Sequence, residues 1–291
     1  MSERLAIAIG KFDALHRGHF ALVERATRLG KPHLLTFSGM AEVLGWPQRQ
    51  PLVAPGDRAR VLGEWSRTLG ADVGIIDLPF AAIRPLTPAQ FVTHLVRTVG
   101  ASAVVVGDDF RFGNNRSGTT ADLVALAHDD GIAADVVPVV LHAGVPVSSS
   151  GVRDALVAGD VTLAAALLGR PYRLCGTVVR GDGRGRRIGV PTANLGAREN
   201  QEPASGVYAG WALLDGVRLP AAINIGHVPT AGNARPLTVE AHVIGYAGDC
   251  YDRSLALDIV KRLRDERHFV GIAELVAQIR ADIVAAEQTL R

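Results

Sequence analysis

Gly10-Lys11-Phe12-Asp13-Ala14-Leu15-His16-Arg17-Gly18-His19 joins a short apolar run, Leu5-Ala6-Ile7-Ala8-Ile9, to Phe20–Leu29, where apolar residues recur at helical spacing. The run reads as a buried strand and the stretch after it as a helix, so the quoted residues form a strand-to-helix turn. A helix N-terminus offers backbone N–H groups without intrahelical partners and a positive dipole end, a natural place for phosphate. Gly18 lets a phosphate come close to the backbone. His16 and His19 are three apart, so they share a face and can donate to one anion.

Downstream, the same alternation continues. Strands are expected at His33–Phe37, Asp72–Ile76, Ala103–Val106 and Ala133–Val140, and helices at Asp57–Leu69, Thr87–Val99 and Thr119–His128. Thr87 followed by Pro88 is a good cap and first-turn pair. Apolar strands alternating with amphipathic helices imply a mainly parallel sheet covered on both faces. Ligands bind such sheets beyond the carboxyl ends of the strands. Two further stretches lie at such ends. Gly107–Gly118 is a glycine-rich polar loop whose Phe110 and Phe112 can hold an aromatic ring and a sugar. Val147–Arg153 places Ser148 and Ser149 ahead of a helix from about Asp154, where hydroxyls cap or bind phosphate, and Arg153 suits a bidentate phosphate contact.

The character changes at Leu168–Tyr172, which sets expected domains of 1–170 and 171–291. Strands follow at Arg173–Val179, Gly206–Leu214, Arg218–Ile225, Leu237–Ile244 and Ser254–Leu263, with Asp215-Gly216 as a hairpin turn. Short strands with turns between them suggest an antiparallel barrel, and Ile272–Leu290 an amphipathic helix packed on it. The glycine-rich basic loop Gly181–Gly189, with Gly183, Gly185 and Arg186, can wrap phosphates with N–H groups and arginines. Thr192 and Asn194, a hydroxyl and an amide two apart, both supply hard oxygens and can share a Mg²⁺–phosphate centre. Alternation puts Thr238, Glu240 and His242 on one strand face.

Composition narrows the partners. At 291 residues and 48% hydrophobic, the chain can form two ordinary cores. A net charge of +2 provides no field to recruit nucleic acid, and an aromatic fraction of 5% no base-stacking platform. Cys175 and Cys250 form no metal-binding pattern. Met1–Arg4 does not lead into a signal peptide, and no apolar run approaches the roughly 18 residues of a membrane span. A cytoplasmic protein without membrane or nucleic-acid partners is expected; oligomeric state is not encoded legibly.

The H-x-G-H turn, with Gly10, Phe12 and Asp13 before it, resembles the N-terminal part of the bacterial bifunctional riboflavin kinase/FMN adenylyltransferase family. Gly107–Gly113 resembles the family's G-x-D-F-R-F-G, and Ser148–Arg153 its S-S-T-x-I-R, with Ser150 for threonine. The second half resembles the riboflavin kinase domain through Gly185-Arg186, Gly189, Pro191–Asn194, Gly206–Tyr208, Asn224–Gly226, Pro229-Thr230, Val239-Glu240, Leu263-Arg264, Glu266 and Phe269.

The resemblance implies a Rossmann-like nucleotidyltransferase domain followed by a riboflavin kinase barrel. It implies ATP as co-substrate, Mg²⁺, riboflavin and FMN as substrates, and FMN and FAD as products. Gly10, Phe12, Gly18, Ser148 and Ser149 would bind ATP in the first domain, and Gly183, Gly185, Arg186, Thr192 and Asn194 in the second. Asp109, Phe110, Phe112 and Arg264 would contact flavin. His16, His19 and Arg153 would meet the leaving pyrophosphate, and Glu240 would take the proton of the ribityl 5′-hydroxyl. The chain departs from the pattern at Ala14, at Asp249–Asp252, and at Ser38-Gly39-Met40-Ala41, where the family has D-P-H-P. The last departure leaves a second reading, an active kinase whose transferase is weakened or takes another nucleotide or flavin analogue.

Overall fold

The computed structural model describes residues 4–181, 183–227 and 237–291; Asp182 and the expected match at Pro229-Thr230 lie outside them. The chain divides into two compact units, Met1–Arg49 with Gly56–Ser148, and Gln50–Pro55 with Ser149–Arg291.

The first unit is built on β1 (Leu5–Ile9), whose Ala6, Ile7, Ala8 and Ile9 are all buried. It is followed by α1 (Arg17–Thr27), β2 (Lys31–Ser38), α2 (Met40–Leu44), α3 (Arg58–Leu69), β3 (Gly74–Pro79), α4 (Phe80–Ile83) and α5 (Pro88–His94). Then come β4 (Ala101–Gly107), α6 (Thr120–Asp129), β5 (Ala133–Val137) and a small hairpin of β6 (Leu141–His142) and β7 (Val145–Pro146). Every neighbour in the sheet is parallel, in the order β3-β2-β1-β4-β5. The order reverses between β1 and β4, and the chain leaves the carboxyl ends of these two strands through the two marked loops. A crevice at that switch point is where an open α/β sheet takes its ligand.

Local chemistry sets the helix starts. Thr87 caps α5 as expected: its hydroxyl accepts the Gln90 N–H at 3.3 Å while Gln90 Oε1 accepts the Thr87 N–H at 2.9 Å. The last turn, Leu95–Val99, widens into a π turn. Asp57 precedes α3 but does not cap it; its carboxylate takes two Arg60 hydrogen bonds at 2.6 Å.

The second unit holds α7 (Ser149–Val157), α8 (Val161–Leu168), β8 (Tyr172–Val179), α9 (Arg184–Arg187), β9 (Ala193–Gly196), β10 (Gly206–Leu214), β11 (Val217–His227), β12 (Leu237–Val243), β13 (Ser254–Arg264) and α10 (Ile272–Leu290). Helix α7 starts five residues earlier than the expected Asp154, because burying Val152, Ala155 and Leu156 makes Ser149–Gly151 its first turn. Helices α7 and α8, read from sequence into 1–170, pack with the barrel unit, α8 lying against β8 and β13.

The six barrel strands close antiparallel in the order β10-β11-β12-β9-β8-β13. Asp215 and Gly216, at φ of 51° and 78°, join Leu214 to Val217, as a two-residue turn with both central residues at positive φ requires. Side chains alternate inward, so Leu174, Leu195, Ile223, Ile225, Val239, Ala241, Leu257 and Ile259 fill the interior. Asn200, fully buried, binds Tyr172 Oη at 2.9 Å, Arg173 O at 2.8 Å and the Cys175 N–H at 3.0 Å. Its amide also reaches Leu52 O at 3.4 Å, which draws Gln50–Pro55 into this unit.

Candidate active sites

In the first unit, His16 caps α1. Its Nδ1 accepts the His19 N–H at 3.2 Å, and His19 Nδ1 faces the His16 N–H at 3.4 Å. The rings stack with centroids 3.6 Å apart and planes 11° apart. Acceptance at Nδ1 keeps the ring proton on Nε2. An Nε2–H and the open end of a helix are together suited to an anion.

Gly18 permits the stack, since a Cβ there would lie 3.0 Å from His16 Cε1 and 3.1 Å from Nδ1. His16 itself is only 7% exposed, so the turn is set into the protein. Phe12 and Leu15 anchor it from below; both are fully buried and take left-handed φ values of 49° and 47°. Phe12 thus serves as the floor of the turn beside the His19 ring, 4.8 Å between centroids. Its carbonyl accepts Arg58 Nη1–H at 3.0 Å, and burial lowers the pKa of that guanidinium.

The loop after β4 closes on itself through Phe112 N–H to Gly118 O at 3.2 Å and Gly118 N–H to Phe112 O at 2.9 Å. Phe112 is a core residue, 5% exposed, with Phe91 at 5.5 Å and Phe110 stacked at 5.7 Å. Half-buried Phe110 and exposed Asp109 are the flavin candidates with open surface. Sequence reasoning missed two groups here. Lys11 Nζ sits 4.3 Å over the Trp46 ring, and its pKa is lowered by burial and then by Arg116. Trp46 follows α2; of Ser38-Gly39-Met40-Ala41, Ser38 ends β2, Gly39 turns the chain at φ 68°, and Met40 and Ala41 begin the short helix. An aromatic residue just beyond the departure from D-P-H-P was the signal available.

Ser148 ends the first unit and Ser149 starts α7 in the second. Arg153 lies in α7, where Nη1 donates to Gln50 O at 3.1 Å and to Gln201 Oε1.

In the second unit the expected residues converge. Register pairs Glu240 of β12 with Asn194 of β9, and Thr192 Oγ1 donates to Glu240 Oε2 at 3.2 Å. They line a cleft of about 260 Å³ together with Arg180, Gly181, Gly183 and Gly185. That volume suits a phosphate chain better than a whole nucleotide. Two glycines let the basic loop lie on the strand: a Cβ at Gly181 would fall 2.5 Å from the Asn194 amide, and one at Gly185 2.3 Å from Val190 O. Val190 N–H closes that turn onto Gly185 O at 2.8 Å. Arg186 is exposed beside it.

Arg264 does something other than its expected flavin contact. Its Nη2 and Nε donate to the Asp282 carboxylate at 2.7 and 3.0 Å, and its Nη1 to Asp265 O at 2.8 Å. Asp282 is buried on α10 and also receives Gln278 Nε2–H at 2.7 Å. The arginine therefore docks the last helix on the barrel.

Comparison with known proteins assigns both halves. Residues 1–151 match the family model for FAD synthetase, and residues 168–290 that for riboflavin kinase. The bifunctional riboflavin kinase/FMN adenylyltransferase of Pseudomonas fluorescens is 36% identical over 287 residues, covering 96% of this chain and 90% of that protein. The Escherichia coli (strain K12) protein of the same name is 36% identical over 298 residues, covering 98% and 93%. A crystal structure described as a macrolide-efflux protein from Streptococcus pneumoniae superposes with a TM-score of 0.85 at 26% identity, covering 99% of this chain and 95% of that one. Among the described residues, no helix is long and apolar enough to cross a membrane.

Proposed function

This chain belongs to the bifunctional riboflavin kinase/FMN adenylyltransferase family, and from that premise we propose which of its residues carry the two reactions. It is an enzyme of flavin cofactor synthesis: it phosphorylates riboflavin from ATP to FMN, then adenylylates FMN to FAD with release of pyrophosphate. Our reading gives the transferase to 1–170 and the kinase to 171–291, in a cytoplasmic protein.

For the kinase, Glu240 is the base. Its carboxylate takes the proton of the ribityl 5′-hydroxyl as that oxygen attacks the γ-phosphorus and ADP leaves. Thr192 Oγ1, 3.2 Å from Glu240 Oε2, holds that carboxylate in place. Gly183, Gly185 and Arg186 bring N–H groups and positive charge to the phosphates. The residues fit Mg²⁺: the Thr192 hydroxyl and the Asn194 amide are hard oxygen donors at one edge of the barrel, and Mg²⁺ bound with nucleotide needs few protein ligands. Mg²⁺ held there would offset the charge of the transferred phosphoryl group. The juxtaposition of Thr192 and Asn194 with Glu240, from segments far apart in sequence, is the single observation that carries this reading.

For the transferase, the FMN phosphate is already a nucleophile. Its oxygen attacks the α-phosphorus of ATP directly, the bond to the β-phosphate breaks, and no covalent enzyme intermediate forms. His16 and His19, with the α1 N-terminus, receive the charge that develops on pyrophosphate. Gly10 and Gly18 shape the turn, and Ser148, Ser149 and Arg153 are the further phosphate ligands of the reading. Asp109 and Phe110 face the flavin, with Phe112 backing Phe110.

Separate assays of the two products test the assignment. Glu240→Gln abolishes FMN formation and leaves FAD formation from added FMN; His19→Ala does the reverse. Both activities surviving both changes would refute the site assignments.

A further inference from the structure

Strand β12 pairs with β9 at only two positions, Glu240 with Asn194 and Ala241 with Ala193. The next pair in that register would be His242 with Thr192, but β9 begins at Ala193. The segment that carries Thr192 thus lies beyond the backbone ladder, and Pro191 has no N–H to extend it. A side chain takes over there. His242 Nδ1 is 2.8 Å from Pro191 O. A carbonyl only accepts, so Nδ1 carries the proton and donates.

His242 is on the same face of β12 as Thr238 and Glu240, while Val239, Ala241 and Val243 point into the barrel. One residue beyond Pro191, Thr192 Oγ1 reaches Glu240 Oε2. The path from His242 through Pro191 and Thr192 to Glu240 is a closed ring of contacts outside the ladder. We propose that His242 is a positioning residue for phosphoryl transfer: its hydrogen bond to Pro191 O holds the Thr192 hydroxyl against the Glu240 carboxylate. It touches neither substrate nor reacting atoms. The proposal rests on the kinase reading above.

The test uses the full chain with His242→Ala, His242→Phe and His242→Asn. Phenylalanine keeps the ring volume without the donor; asparagine keeps an N–H donor at a similar reach. Loss of an outer partner of this kind typically lowers activity about 10- to 100-fold. That drop is expected in kcat for FMN formation with the alanine and phenylalanine variants, with KM for riboflavin unchanged. The asparagine variant recovers most of the rate. FAD formation from added FMN stays at the wild-type level in all three. Without any ligand, amide exchange across Val190–Asn194 quickens in the alanine and phenylalanine variants and not in the asparagine one.

A phenylalanine variant as fast as wild type, or an asparagine variant as slow as phenylalanine, overturns the proposal. So does a parallel loss of FAD formation, which marks a global folding defect. If the wild-type chain itself makes no FMN from riboflavin and ATP, the kinase reading fails, and the proposal with it.

Discussion

Adding one methyl group at Gly18 separates the stability of the first site from its chemistry. The new Cβ in Gly18→Ala would stand 3.0 and 3.1 Å from two atoms of the His16 ring, closer than such contacts normally come. The ring has little room to yield, being stacked on His19 at 3.6 Å and mostly buried. If it swings away, Nδ1 leaves the His19 N–H, and losing an N-cap of this kind costs about 1 kcal/mol. Gly18 is also inside α1, where alanine gains roughly 0.5–1 kcal/mol over glycine. The two effects nearly offset, so the melting temperature should stay within about 4 °C of wild type. The reaction has no such compensation, because a displacement of about 1 Å in a positioning group can cost ~100-fold in rate. The assay supplies FMN and ATP and measures FAD, then supplies riboflavin and ATP to the same preparation and measures FMN. A roughly hundredfold loss of the first activity with the second intact is expected. FAD formation at the wild-type rate, or equal loss of both activities, would refute the placement of His16.

Three further outcomes follow from contacts away from the chemistry. Asn200→Ala takes the acceptor from the Cys175 N–H and a donor from the Tyr172 hydroxyl, which keeps its own hydrogen bond to Gln201 O, and should cost about 2 kcal/mol by denaturant unfolding; a loss indistinguishable from zero contradicts the network. Asp282→Ala leaves Arg264 without its carboxylate. The guanidinium keeps some water, so a loss of about 2 kcal/mol is expected, with amide exchange across Ile272–Leu290 rising more than elsewhere; uniform exchange would argue against docking by this pair. The Asp122 carboxylate is held below its ordinary 3.8 by the Thr119 hydroxyl and then by the Thr119 N–H. A depressed folded value means stability present above about 3.8 and lost as pH falls through the lower folded value. The melting difference between wild type and Asp122→Asn should therefore be full at neutral pH and vanish in strong acid; a difference independent of pH counts against the cap.

What the sequence discloses follows from how local each feature is. The strand at Leu5–Ile9, the cap at Thr87 and the turn at Asp215-Gly216 depend on neighbours a few residues away, and each is legible. Strand β9 is not, because four residues around Pro-Thr-Ala-Asn become a strand only by pairing with β8 and β12. Helices α2 and α9 and the β6–β7 hairpin are likewise too short to show a period. The alternation of β12 puts Glu240 on a face, but nothing nearby in sequence says that Thr192 lies beside it. Arg264 teaches the opposite lesson: a cation at a strand end looks like a ligand group until Asp282 is found buried on the helix that folds back over it. Phe112 reads as a loop aromatic and turns out to be core, because the loop bends back through Gly118.

Phe12 and Leu15 hold a conformation that side-chain-bearing residues seldom adopt, and both do so with no contact with water. Such geometry costs on the order of 1–3 kcal/mol per residue and persists only where surrounding packing over-determines it. The strain is met when the domain folds rather than when substrate arrives. An incoming triphosphate has nothing to straighten or recruit in this turn, so its capture should proceed in a single kinetic phase, with no slow rearrangement that becomes independent of nucleotide concentration.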